Sequence, residues 1–150
     1  MKPPTARYPG FTLVELMVVV ATISILAAIA WPAFTGAIHK SRRTDAMTSL
    51  SRIAQAQERW RANNPVYQDT LTNLVGAANS VSAGGHYDLS LSNVTASTYT
   101  VQASARNTSP QSADSPCQVM RLTMNGGNIG YASLASAGAA ANAPERCWVQ

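Results

Sequence analysis

Charge is scarce in this sequence, at 12% of 150 residues, and the shortage is uneven. No Asp, Glu, Lys or Arg occurs between Leu16 and Ile38. After Asn64 the charged residues are Arg106, Arg121 and Arg146 against Asp69, Asp88, Asp114 and Glu145. A nucleic-acid binder needs clustered cations to displace counterions from phosphates. The distal two-thirds has no such cluster, so nucleic acid is not the expected partner. Histidine is nearly missing, with only His39 and His86, and neither lies near a cysteine in the chain. There is no Cys-x-x-Cys, no glycine-rich phosphate loop and no nucleophile motif. These gaps argue against a metal site, a bound cofactor and catalysis. His86 and Asp88, two apart on an expected strand, could suggest an acid–base pair. They read instead as a solvent-facing pair on an antiparallel sheet.

Cysteine is limited to Cys117 and Cys147. In an oxidising compartment an even pair reads as a disulfide, and closing such a loop contributes roughly 3–4 kcal/mol in the chain-entropy account. Two reduced, buried cysteines are the alternative.

What the sequence does have is a long apolar run. Leu16–Ile38 as a helix covers roughly 35 Å, enough for a hydrocarbon core of about 30 Å. A secreted signal is one reading: Lys2 and Arg7 make a basic n-region, and Ala28-Ile29-Ala30 resembles a small-x-small cleavage site before Trp31. Glu15 opposes it, because a carboxylate at the front of an apolar helix is costly and a plain signal peptide gains nothing from it. Pro3, Pro4 and Pro9 keep the first residues out of any helix, which can start after Gly10. Basic residues flank the run on both sides, so charge alone does not orient it. The cysteines favour a distal part outside the cytoplasm.

After His39, Met47, Leu50, Ile53, Ala54, Gln57 and Trp60 recur at three- and four-residue spacing. That is an apolar stripe on a helix ended by Asn63-Asn64-Pro65. Lys40, Arg42, Arg43, Arg52, Arg59 and Arg61 lie mostly off the stripe. They read as a solvated face, with lipid headgroups or acidic neighbours as alternatives. Strands are expected at His86–Leu91, Thr98–Ala105 and Gln118–Met124, with a fourth at Ile129–Ser133 beyond the turn Asn125-Gly126-Gly127. Ser92–Ser97, Asn107–Pro116 and Ala135–Pro144 read as turns and loops, and Trp148 is expected near the cysteines. The predicted fold is α+β: one long helix packed on a three- to four-stranded antiparallel sheet.

The run Gly10-Phe11-Thr12-Leu13-Val14-Glu15-Leu16, after a basic leader and before an apolar stretch, resembles the class III leader of type IVa pilins and related pseudopilins. The resemblance implies cleavage between Gly10 and Phe11 by a prepilin peptidase, N-methylation of Phe11, and a helix-kinking role for Pro32. It also implies an assembly role for Glu15. A carboxylate and a new amine, each costly alone in a low-dielectric setting, would pair between neighbouring subunits. Arg52 stands where many major pilins carry a further proline. The Ala54–Arg59 helix, the Tyr67 loop, the two strands HYDLSL and TYTVQA, and Cys117 with Cys147-Trp148 are similar to PilE-type minor pilins.

The resemblance divides the chain into a leader (1–10), a transmembrane assembly helix (11–38), an amphipathic helix (39–63) and a head (64–150). It implies a non-enzymatic minor pilin without cofactor, held in the bacterial inner membrane with its head in the periplasm, then incorporated into an extracellular fibre serving motility or adhesion. The implied partners are other pilin subunits, the peptidase and the inner-membrane assembly machinery. A type II secretion pseudopilin, a DNA-receptor pilin and a secreted enzyme or binding domain are the alternatives.

Overall fold

The computed structural model describes residues 10–76, 80–136, 138–139, 141–142 and 145–148. The leader cations Lys2 and Arg7 lie outside these, as do several positions of the expected 135–144 loop. The chain divides into two compact units, Met1–Ala37 and Ile38–Gln150.

Helix α1 runs Leu13–Arg61 without a break and carries Pro32 inside it. In the first unit every large apolar side chain from Phe11 to Phe34 is exposed. The hydroxyls there bond back to their own helix: Thr22 Oγ1 donates to the Val19 carbonyl (2.8 Å), Ser24 Oγ to Val20 (2.8 Å) and Thr35 Oγ1 to Pro32 (3.0 Å). Such internal pairing is what an apolar solvent demands of a hydroxyl.

In the second unit α1 buries Ala46, Leu50, Ile53, Ala54, Ala56 and Gln57. The sheet is a meander in sequence order: β1 Tyr87–Ser92, β2 Thr98–Ala105, β3 Val119–Asn125, β4 Asn128–Leu134 and the two-residue β5 Ala141–Asn142, all antiparallel. Register puts Leu89 opposite Ala103, Ala103 opposite Met120, Leu91 opposite Val101, and Val101 opposite Leu122. Because alternate residues share a face, these side chains and Tyr87, Tyr99 and Met124 form one apolar layer. The layer joins Leu50, Ile53 and Ala54 in the core. Full burial of each such side chain contributes about 1.5–3 kcal/mol.

The β3–β4 hairpin turns on Gly126 and Gly127, at φ 56° and 87°. A two-residue turn with both φ values positive matches the right-handed strand twist, and glycine meets it without steric cost. A second short helix, α2 (Leu71–Val75), forms where no element is expected, and two 3-10 turns, Pro110–Ala113 and Ser115–Cys117, lie in and at the end of the expected 107–116 loop. Serine 109 caps the first of these turns by accepting from the Gln111 N–H at 3.2 Å. The expected 135–144 loop contributes β5, so the four expected strands gain a minimal fifth.

Two further expectations change. Trp60 falls on the apolar stripe by spacing, yet it is 36% exposed, and the seam closes on Ala56 and Gln57 instead. Asp88 faces solvent as expected, with 62% side-chain exposure, but His86 is half-buried and the two have separate partners. His86 Nδ1 lies 2.9 Å from Ser109 Oγ, while Asp88 accepts from Arg106 Nε at 3.1 Å.

Candidate functional site

Two places concentrate unusual arrangement: the start of α1 and the loop that brings Cys117 to the helix. At the start, Gly10 and Phe11 are exposed, Phe11 by 85%. Thr12 is the residue before the helix. Its Oγ1 accepts from the Glu15 backbone N–H at 3.2 Å, and its carbonyl accepts from Leu16 N–H at 3.2 Å. Thr12-Leu13-Val14-Glu15 is therefore a capping-box sequence with its threonine half formed. Reading Glu15 only as a charge misses Thr12, although the Thr-x-x-Glu spacing was there to find it. The Glu15 carboxylate is exposed and in the first helical turn, where the helix dipole favours a negative charge.

Further along, Pro32 supplies no N–H, which leaves the Ala28 carbonyl without its helical partner. Trp31 and Phe34 flank it, both exposed. The small-x-small triplet Ala28-Ile29-Ala30 lies inside α1.

The second place belongs to the other unit. Arg43 donates from Nε to Asp114 Oδ2 and from Nη2 to Asp114 Oδ1, both at 2.7 Å. Gln111 Nε2 donates to the same Asp114 Oδ2 at 2.7 Å, and Gln111 Oε1 lies 3.1 Å from His39 Nδ1. The hydrogen bond to Asp114 holds the Arg43 guanidinium above its ordinary pKa, against the opposing effect of burial. Tyr87 lies beneath, its hydroxyl buried without a well-formed hydrogen bond, and burial first and the Asp114 charge second push it well above the ordinary tyrosine range. Three residues on, Cys117 is bonded to Cys147 with Cα atoms 5.8 Å apart. The bridge carries helix α3 (Glu145–Trp148), whose Trp148 indole donates to the Ala132 carbonyl at 3.0 Å and packs on Tyr131 at 4.7 Å. The expectation for Trp148 holds.

The basic run does not form one face. Arg43 is taken up by Asp114. Arg61 donates to the carbonyls of Asn64 (2.8 Å) and Ala96 (3.2 Å) and lies 5.9 Å from the Tyr67 ring centre. Lys40, Arg52 and Arg59 remain exposed. Among the described residues no three His, Cys, Asp or Glu side chains converge as metal ligands.

Helix α1 is thus apolar and bare in its first half, and in its second buries one face in the core it shares with the sheet. A family profile described as the prokaryotic N-terminal methylation motif matches residues 6–31. A second, described as "Type IV minor pilin ComP, DNA uptake sequence receptor", matches residues 32–121. The chain belongs to the type IV pilin family, whose members assemble with other pilin subunits into fibres. It is 43% identical over 72 residues to the type IV major pilin PilA of Myxococcus xanthus (48% of this chain, 32% of the relative). It is 39% identical over 79 residues to the major fimbrial protein FimA of Dichelobacter nodosus (49% of each). Over 42 residues it is 55% identical to fimbrial protein Q of Moraxella bovis (28% of this chain, 27% of the relative). The chain thus spans between 27% and 49% of the length of these relatives.

Proposed function

We propose that this chain is a minor subunit of a type IV pilus. It is cut between Gly10 and Phe11, N-methylated at Phe11, held in the inner membrane by residues 11–38 with its head in the periplasm, and drawn into the fibre through that same helix. One observation carries the reading: α1 leaves every large apolar side chain from Phe11 to Phe34 exposed, while its continuation buries one face, Ala46, Leu50, Ile53, Ala54, Ala56 and Gln57. Exposed apolar area of that extent is stable only in lipid or against other helices. Trp31 and Phe34 near the end of the apolar stretch suit the aromatic belt at a membrane interface. A formed disulfide in the head suits an oxidising compartment.

In this reading Glu15 pairs with the methylated Phe11 amine of a neighbouring subunit and sets axial register. Pro32 bends the helix to follow the fibre. The prepilin peptidase and the inner-membrane assembly machinery are its transient partners. Mass determination of the mature N-terminus is the direct experiment. A methylated Phe11 is the expected result, and a start at Trp31 would be incompatible with the proposal.

A DNA-receptor pilin is a second reading, favoured by the match of residues 32–121 to a profile described as a DNA uptake sequence receptor. Its support from charge is thin, because two of the helix arginines are committed within the fold. A salt-dependent shift of duplex DNA by the detergent-solubilised chain would favour it. No shift at low salt favours the purely structural subunit.

A further inference from the structure

Where α1 ends, the chain exposes an indole it has the apolar context to bury. Trp60 lies on the stripe by spacing, but it is 36% exposed where Ala56 and Gln57 before it are buried. Two grooves meet at its ring. One, about 330 Å³, is lined by Trp60 with Val66, Gln68 and Asp69 among others; the second, about 400 Å³, by Trp60 with Arg59, Asn63 and Asn73. Both volumes fall in the roughly 300–1,000 Å³ range of small-ligand sites.

The polar groups at the rim are spent only in part: Asn64 Nδ2 donates to the Trp60 carbonyl at 2.8 Å, and Gln68 Oε1 accepts from the Thr70 N–H at 3.2 Å. Among the described residues, the side-chain amides of Asn63 and Asn73 and the guanidinium of Arg59 make no hydrogen bond within the fold. Asn63, Asn64, Gln68 and Asn73 bring planar amides to the grooves, beside Arg59, Tyr67, Asp69 and Thr95. Each amide offers two donors and an acceptor in one plane. Among the described residues, Arg59 is the single cation and Asp69 the single anion lining the two grooves, so their charges balance.

We propose that the paired grooves about Trp60 bind a neutral saccharide chain. A pyranose ring has a face of C–H bonds that lies flat on an apolar aromatic surface and a rim of hydroxyls that both donate and accept. The indole supplies the surface. The amides of Asn63 and Asn73 supply matched partners for adjacent hydroxyls, and two grooves that share Trp60 and Asn64 offer room for consecutive sugar units. A nucleic-acid strand could also stack a base on the indole. It would need several uncommitted cations tracking its phosphates, and the grooves offer one, set against a carboxylate.

The test uses the full chain in detergent micelles, labelled with nitrogen-15, so that the indole signals of Trp31, Trp60 and Trp148 are read separately. The probes are maltotetraose, cellotetraose and chitotetraose, with a single-stranded and a duplex oligonucleotide beside them. At least one tetrasaccharide should move the Trp60 signal saturably in the millimolar range and leave Trp148 still. Saturation transfer to that sugar should weaken about tenfold or more in Trp60→Ala and less in Trp60→Phe. Asn73→Ala should weaken binding severalfold while the Trp148 signal, which reports the head's fold, stays in place. A Trp60 signal indifferent to all three sugars, or one that moves with the oligonucleotides alone, overturns the proposal.

Discussion

Arg43 on α1 and Asp114 in the loop before Cys117 meet through two parallel hydrogen bonds of 2.7 Å, and Gln111 adds a third to the same carboxylate. Asp114 is almost fully buried, with 4% side-chain exposure, while Arg43 keeps 18%. Seventy-one residues separate the two, so the contact fastens a distant loop to the helix.

Removing one partner leaves the other charge underground, which is the costly way to break a buried pair. Asp114→Ala is expected to destabilise the head by about 2–4 kcal/mol, towards the low side of buried pairs because Arg43 retains some solvent contact. Replacing both, as Arg43→Met with Asp114→Leu, should cost less than Asp114→Ala alone. Urea unfolding of the unsubstituted chain and the two variants, followed by tyrosine fluorescence, measures this. A double variant less stable than Asp114→Ala would show that the pair's geometry, not its uncompensated charge, dominates.

Tyr87 and Tyr99 are both buried, and neither hydroxyl makes a well-formed hydrogen bond. Burial raises both above the ordinary tyrosine range, with Asp114 adding to it at Tyr87 and Glu58 at Tyr99. The folded state therefore keeps its protons where the unfolded chain, ionising near pH 10, gives them up. Their contribution to stability is complete below about pH 10 and is lost as pH rises above it towards the raised folded values. Unfolding midpoints taken from about pH 8 to 11 should be level and then fall. Tyr99→Phe should make the fall shallower and cost little at neutral pH, because it removes an unpaired hydroxyl. An unchanged alkaline slope in that variant would point to another group.

The Cys117–Cys147 bridge closes a separation of 30 residues and fixes a helix of only four residues, Glu145–Trp148. A helix that short has no stability of its own. Changing both cysteines to serine should cost roughly 3–4 kcal/mol, the loop-closure value for this length. Loss should begin locally. Hydrogen exchange should speed first in α3 and at the Trp148–Ala132 contact, while β1–β3 keep their protection. Uniform loss of protection would mean that the bridge supports the whole head.

Much of this architecture can be read locally. Leu50, Ile53 and Ala54 are buried where a 3.6-residue period puts them, and the alternation in Tyr87–Leu91 and Tyr99–Ala103 predicts the shared apolar face. What could not be read depends on distant partners. Spacing places Gln57 on the buried stripe, as found, but not its partner: the amide donates to the Gln68 carbonyl (2.7 Å) and accepts from the Gln68 N–H (3.0 Å). That requires the chain after Pro65 to fold back. Gln111 and Asp114 carry no local sign of burial, since both are satisfied from α1. Asp45 likewise gains a partner from afar: it accepts from the Gly84 N–H at 3.1 Å, where a Cβ would come within 2.8 Å of its second oxygen.

The start of α1 sets the last prediction, because the same glutamate stands in a capping sequence and in an expected assembly contact. A loss of fibre incorporation in Glu15→Ala could come from a frayed helix or from a missing charge. Two variants separate the causes. Glu15→Gln keeps a residue that serves equally at the third position of a capping box but removes the charge. Thr12→Ala removes the hydroxyl that accepts the Glu15 N–H and keeps the charge, at a cost of about 0.5–2 kcal/mol in helix stability. If an intersubunit ion pair governs incorporation, Glu15→Gln stays in the membrane fraction and falls out of sheared fibres, while Thr12→Ala enters them. If the helix start governs, the order reverses. Comparing membrane and sheared fractions by immunoblot decides it. The ion-pair outcome is expected, because a buried unpaired ammonium costs several kcal/mol, well above what a single cap contributes.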